Sequence, residues 1–313
     1  MRVVVTGGAG FIGGNLVHAL LGGGWKITVI DDLSTGSMDN VHPAAGLRRL
    51  DVRDPRTADA IVAAAPEVVV HLAAQVSVAA SIEDPDFDRE VNVEGTRMVA
   101  EAAVAAGARR VLFASSAAVY GEPQELPLTE ASPVAPVVPY GVSKLEAEAV
   151  LDEVLRPAGV DFASLRFANV YGPRQRADGE GGVVAEFASR MTRGVSPVIF
   201  GSGDQTRDFI YVADIVGAIA AAAQHEGVLA GSGLSGCAYN ISTGVATSVN
   251  MLAEGLRVGL RYPGTLERAA GREGDVEASL LSPEKAASIF GWRAAVDLRD
   301  GLEATGAWFA RQR

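Results

Sequence analysis

Runs of consecutive apolar residues punctuate the first half of the chain: Val3 to Val5, Lys26 to Ile30, Val68 to His71, Val111 to Ser115 and Phe162 to Phe167. Each is near-continuous rather than alternating, as in strands covered on both faces. Between them, Asn15 to Leu21, Ala58 to Ala64, Asp86 to Ala106 and the stretch after Tyr140 read as helices. Strand and helix in regular alternation predict an α/β fold with a doubly wound parallel sheet and ligands at the carboxyl ends of its strands. Beyond Asn169 the rhythm weakens into Gly-, Pro- and charge-rich loops, notably Gly172 to Gly182 and Gly227 to Gly236, which predicts a smaller C-terminal α/β lobe. Residues 209–225 read as a strand and helix returning to the first domain. The expected division is therefore 1–168, with 209–225 added, and an interleaved 169–313.

The first turn carries the first chemistry. In Thr6-Gly7-Gly8-Ala9-Gly10-Phe11-Ile12-Gly13, Gly7 suits a tight turn, Gly10 lets a pyrophosphate approach the backbone, and Gly13 allows close helix packing. Amides at the helix start then face the phosphates. Asp31, closing the second strand, is placed to accept from the adenosine ribose hydroxyls and would repel a 2′-phosphate. No arginine follows in Asp31-Asp32-Leu33-Ser34-Thr35-Gly36, so the pattern predicts a Rossmann domain binding NAD rather than NADP. Asp51-Val52 suits the adenine edge and an ordinary loop equally.

Composition narrows the classes. With 313 residues, 48% hydrophobic, the chain has ample core material. A net charge of −11 and a pI near 4.9 argue against a nucleic-acid surface. No apolar run is long enough to span a bilayer, and a first strand starting at Arg2 leaves no room for a leader, so a cytoplasmic protein is expected. The single Cys237 and the scattered His18, His42, His71 and His225 predict neither disulfide nor metal site.

Tyr140-Gly-Val-Ser-Lys144 opens the helix after the fourth strand. A four-residue spacing puts phenol and ammonium on one face, where a lysine cation stabilises the phenolate and lowers its pKa. The chain has 24 arginines and only three lysines, so a lysine at 144 is a selective choice.

With these segments placed, the chain resembles the extended short-chain dehydrogenase/reductase family, and within it the nucleotide-sugar 4-epimerases of the UDP-glucose type. The likeness is carried by the segments above together with His71-Leu72-Ala73-Ala74-Gln75, Asn92-Val93-Glu94-Gly95-Thr96, Ser115-Ser116-Ala117-Ala118-Val119-Tyr120-Gly121, Asn169-Val170-Tyr171-Gly172-Pro173-Arg174-Gln175 and Arg207-Asp208-Phe209. It covers nearly the whole chain. The resemblance implies that Leu72, Ala73, Ala74, Gln75, Asn92, Ser115 and Phe167 serve the cofactor and that Ser116 relays a proton beside Tyr140. It further implies substrate contacts from Asn169, from Val198 and Phe200 around uracil, from Arg207 and Arg272 on the diphosphate, and from Asp275 on the ribose. A UDP-sugar partner and a homodimer packed through 92–106 and 143–155 follow from the same likeness.

Reversible oxidation at carbon 4 is the activity implied, with Tyr140 as base and NAD as acceptor. Dehydratases of the family carry Asp-Glu where this chain has Ala117-Ala118, and decarboxylases carry a glutamate at the second position, so epimerisation is favoured over elimination. Ser279, at a position that is a bulky tyrosine in some relatives, leaves room for a 2-acetamido group. Arg176 reads either as a loop arginine or as a ligand for the carboxylate of a glucuronate, while Gly179 to Val183 keeps the glucose-type pattern. A reductase, and a regulator that binds NAD without catalysis, are the other readings.

Overall fold

The computed structural model describes residues 1–123, 125–177, 182–271 and 276–312. Its first half is laid out as β1 (Arg2–Thr6), α1 (Phe11–Gly22), β2 (Lys26–Ile30), β3 (Gly46–Arg48), α2 (Pro55–Ala64), β4 (Val68–His71), α3 (Val78–Glu83), α4 (Pro85–Arg89), α5 (Gly95–Ala105), β5 (Arg110–Ser116), α6 (Pro139–Leu155) and β6 (Asp161–Phe167). The second half adds β7 (Asn169–Tyr171), α7 (Val183–Thr192), β8 (Val198–Phe200), β9 (Thr206–Tyr211), α8 (Val212–Gln224), α9 (Gly233–Cys237), β10 (Ala238–Ile241), β11 (Ala246–Ser248), α10 (Val249–Gly259), β12 (Glu267–Ala269), α11 (Glu284–Phe290) and α12 (Leu298–Arg311).

Seven strands form one parallel sheet in the order β10-β6-β5-β4-β1-β2-β3. The continuous valine runs now have their reason. Val3, Val5, Val68 and Val70 point into the core beneath α1 and α8, whereas Val4 and Val69 point into the core beneath α2, α5 and α6, so both faces of each strand must be apolar.

Two expected elements change shape. Helix α1 starts at Phe11 rather than Asn15, because the glycine turn feeds directly into it with Gly10 as its cap. The long helix expected over 86–106 is interrupted by a π-helical segment at Glu90–Glu94, between α4 and α5. There Gly95 approaches Val52 so closely that a Cβ would lie 2.8 Å from Val52 Cγ2, and Asn92 turns inward.

Two residues after β6 the chain leaves the large sheet as β7, which pairs with β9 in a three-stranded sheet completed by β11. Strands β8 and β12 form a two-stranded sheet, and α7, α10 and α12 close a separate core around Tyr171, Phe187, Ile199, Leu252 and Leu302. The strand of the 209–225 pair therefore lies in the small sheet, while its helix α8 packs on α1 and fills the large sheet's core with Ile215, Ile219 and Ala222. Among the described residues, no helix is long and apolar enough to cross a membrane.

Candidate active site and dinucleotide groove

A cavity of about 1830 Å³ runs along the carboxyl ends of β1, β2, β4, β5 and β6. Its floor is the glycine turn. Gly7 has φ +70°, and a Cβ there would stand 2.6 Å from the Ala73 amide nitrogen; at Gly13 it would stand 2.1 Å from the Gly7 carbonyl oxygen. No side chain fits either position, so the turn keeps bare backbone against the cavity. Gly10 offers no side-chain cap, which leaves the first-turn amides of α1 open to an anionic group.

Asp31 organises the next wall. Its Oδ2 accepts from the Ala9 amide at 2.8 Å and its Oδ1 from the Leu33 amide at 2.9 Å. Burial pushes its pKa up, against the pull of those two amides. Asp32 holds Ser34 through the latter's amide and hydroxyl, at 2.9 and 2.7 Å. Asp32, Ser34, Thr35 and Gly36 all line the cavity, whereas Leu33 does not. Farther along, Asp51 and Val52 line it too, but the Asp51 carboxylate is engaged by Arg53, whose Nη2 donates at 2.7 Å. That bond holds Asp51 below the usual carboxylate range, and the Arg53 guanidinium in turn lies 5.0 Å over the Phe87 ring.

At the centre of the cavity, β5 ends on Ser116, directly opposite Phe167 in the β5–β6 register. Pro139 opens α6, a position where a missing amide costs nothing, and Tyr140 follows with its amide donating to Ser81 Oγ at 3.2 Å. One turn on, Lys144 is almost fully buried. Its Nζ donates to the Ala114 carbonyl at 3.0 Å and lies 4.8 and 5.9 Å from the Phe113 and Tyr140 ring centroids. Ser116, Tyr140 and Lys144 thus converge from a strand end and a helix start.

The electrostatics correct one expectation. Lys144 does not depress the phenol in this structure: burial pushes Tyr140 up to about 12, and the opposing pull comes from a hydrogen bond with Ser116. Burial also brings Lys144 down to about 8, against the acidic groups of Asp88 and Glu148. Desolvation penalises each charged form more than the neighbour rewards it.

Leu72, Ala73, Ala74, Gln75 and Ser115 also line the cavity. Asn92 does not; it donates to the Gln75 carbonyl at 3.0 Å and to Ser143 Oγ at 3.0 Å from behind. The residues assigned to substrate lie mostly outside the cavity wall. Asn169 begins β7 and Val183 begins α7; Val198 and Phe200 end β8, and Arg207 sits in β9 opposite Thr247. The Ser279 amide donates to the Thr206 carbonyl at 3.1 Å, which joins it to this group. Arg272 and Asp275 lie outside the described residues, as do residues 179–181 of the glucose-type pattern.

Arg176 is the exception, and it faces the cofactor side. Its Nη1 donates to the Thr35 carbonyl at 3.0 Å. Arg174, with φ +71°, donates to Asn15 Oδ1 at 3.1 Å, and Asn15 donates back to the Pro173 carbonyl at 2.9 Å. This strap of residues 173–176 on α1 was missed in the sequence, where nothing in the spacing pairs loop arginines with positions some 140–160 residues earlier. Among the described residues no group of His, Cys, Asp and Glu could hold a metal ion. His71 is wedged between Thr6 Oγ1 at 2.6 Å and Thr96 Oγ1 at 3.0 Å, with burial bringing its pKa down to about 3; it is a core residue.

Comparison with known proteins agrees with this architecture. The family described as NAD dependent epimerase/dehydratase matches residues 3–241. A UDP-glucose 4-epimerase of Mycolicibacterium smegmatis is 39% identical over 315 residues, covering 99% of this chain and 98% of the relative. Among solved structures, the UDP-glucose 4-epimerase of Thermotoga maritima with UDP-glucose superposes with a TM-score of 0.93 at 37% identity, over 100% of this chain and 99% of that one. The UDP-N-acetylglucosamine 4-epimerase of Methanobrevibacter ruminantium M1, in complex with UDP-N-acetylmuramic acid, gives 0.92 at 32%, with 100% and 99% covered.

Proposed function

Because the chain belongs to the NAD dependent epimerase/dehydratase family, we propose that it inverts carbon 4 of a UDP-sugar, with UDP-glucose and UDP-galactose as first choice. The residues present fit the dinucleotide: bare backbone at Gly7 and Gly13, open amides at the start of α1, and Asp31 at the ribose position with no arginine after it. NAD, when bound, supplies an acceptor that takes hydride from carbon 4 and returns it.

The chain's own residues handle the proton and the geometry. Tyr140 takes the 4-hydroxyl proton as the carbon is oxidised, and gives one back as the ketone is reduced. Lys144, held against Ala114 with its ammonium 5.9 Å from the Tyr140 ring centroid, places positive charge beside the reacting oxygens, and Ser116 hydrogen-bonds the phenol oxygen. The observation that carries the reading is this convergence at the end of β5, followed at once by Ala117 and Ala118. Two methyl groups can neither donate nor accept a proton, so the ketone has no partner for elimination and can only be reduced again.

Ser279 favours tolerance of a 2-acetamido group, and the solved N-acetylglucosamine epimerase among the relatives supports that as a second substrate. Arg176 reaches Thr35 beside the cofactor loop, which weighs against a glucuronate carboxylate. In this reading residues 1–168 with α8 hold NAD, the remainder holds the nucleotide-sugar, and two copies pair through α5 and α6; sedimentation at the mass of one chain would exclude the pairing. To test the function, purified protein is incubated without added NAD with UDP-galactose, UDP-N-acetylglucosamine and UDP-glucuronate separately, and the 4-epimers are resolved. Inversion of UDP-galactose is expected; inversion of none would overturn the proposal.

A further inference from the structure

We infer that Glu148 is a positioning residue: buried behind the reacting groups, it bolts the strand ends carrying Ser116 and Phe167 to the helix carrying Tyr140 and Lys144. The inference rests on the reading of that site given above. Glu148 lies one turn beyond Lys144 on α6 and is 1% exposed. Its Oε1 accepts from Ser115 Oγ at 2.5 Å and from Arg166 Nε at 2.9 Å, and its Oε2 accepts from Arg166 Nη2 at 2.6 Å. Ser115 and Arg166 face each other in the β5–β6 register, and each immediately precedes a residue of the site, Ser116 and Phe167. One carboxylate therefore joins three elements just behind the chemistry.

The far side of the network is equally fixed. The Arg166 guanidinium lies 4.9 Å over the Tyr120 ring, and the Tyr120 hydroxyl donates to Asn240 Oδ1 at 2.7 Å. Tyr120 closes the short 3₁₀ turn that Ser116 caps. A buried ion pair is a poor source of stability, since desolvating both charges offsets most of their attraction. What it supplies is direction: a forked guanidinium and a carboxylate meet in one geometry only. A packed apolar cluster would leave the strand ends freer to slide.

Glu148 also contributes charge. The groups facing Lys144 are Tyr140 and Glu148 from α6, Asp88 from α4 and the neutral His71 from β4. Asp88 and Glu148 are the two that hold the ammonium charged. Replacing Glu148 by a neutral amide removes one of them and leaves the Arg166 cation uncompensated in the interior.

The test compares Glu148→Gln, Glu148→Asp and Ser115→Ala with the parent, each as the NAD-loaded protein. Glu148→Gln is expected to lower kcat about tenfold, a part of what positioned acid–base groups contribute, while KM for the UDP-sugar stays within about twofold and the NAD content is unchanged. The alkaline limb of the kcat profile should move to lower pH. The phenolate of Tyr140, followed by ultraviolet difference titration against Tyr140→Phe, should appear at lower pH than in the parent, because a nearby negative charge is gone and the Arg166 cation is left uncompensated. Glu148→Asp should restore part of the rate. A folded Glu148→Gln protein with the parent's kcat, alkaline limb and phenolate titration would reduce the network to a structural tie and overturn the inference. Should that variant not fold, Ser115→Ala decides: a several-fold loss of kcat at constant KM supports positioning, and the parent's kcat refutes it. If the parent inverts no UDP-sugar, the functional reading fails separately, and the phenolate titration alone judges Glu148.

Discussion

Tyr140 and Lys144 are each penalised by the burial that brings them together. With the phenol pushed up to about 12 and the ammonium brought down to about 8, the lysine is the group that titrates nearer neutrality. Its charged form is present below that value and is lost as pH rises through it. The rate is therefore expected to fall above about pH 8, a limb that Lys144→Met should abolish along with most of the activity; pH–rate profiles check this. Tyr140→Phe should lower kcat by on the order of 10²–10⁴-fold with NAD still bound, since the phenol oxygen serves the proton and not the dinucleotide. Arg176 acts elsewhere. Its bond to the Thr35 carbonyl closes the strap over the cofactor loop, so Arg176→Ala should release NAD faster than the parent, measured as nucleotide content after repeated gel filtration, with little change in thermal stability.

The elements place these side chains by simple devices. A strand that stops, a turn without side chains and a helix that begins with its amides exposed make the groove, and Gly13 is the tightest point of it. A methyl group there would overlap the Gly7 carbonyl at 2.1 Å, with Gly8 Cα at 2.7 Å, and backbone atoms cannot rotate aside. Gly13→Ala is expected to destabilise the protein by about 3 kcal/mol or more and to copurify without NAD; thermal unfolding and nucleotide analysis check the two outcomes. The π-helical break before α5 does a related job, turning Asn92 inward so that one amide side chain supports Gln75 and the turn of Ser143 beside Lys144.

On the scale of the molecule, the C-terminal part of the chain returns to fasten the outer edge of the large sheet. Lys285, from α11, donates to the Ser235, Gly236 and Ala238 carbonyls at 2.8, 2.9 and 2.6 Å and lies 4.2 Å over the Tyr239 ring. It satisfies carbonyls around the start of β10, the last strand added. Lys285→Met should lower stability by about 2–3 kcal/mol, as expected for hydrogen bonds from a charged group, with KM little changed because the tie is remote from the cavity; denaturant unfolding measures it. The split of the 209–225 pair, strand into the small sheet and helix onto the large one, links the two sheets through consecutive residues.

What the sequence determined is what neighbouring residues settle among themselves. The glycine turn, the buried valine strands and the Tyr140–Lys144 face are set by dihedrals, by unbroken apolar runs and by a four-residue spacing, so they were legible in the sequence. Ser116 was legible one step further out, because a strand's end predicts a place in the groove. The rest needed the tertiary structure. That β10 completes the sheet, that Arg176 bonds Thr35, that Ser81 receives the Tyr140 amide and that Glu148 joins Ser115 to Arg166 are contacts between residues distant in the chain. A carboxylate or guanidinium has many possible partners in a chain of this composition, and only the packing of the strands and helices decides which one comes within reach. The same packing raised the phenol where local spacing predicted a lowered one, because burial acts through the whole surroundings and a helical neighbour acts through one.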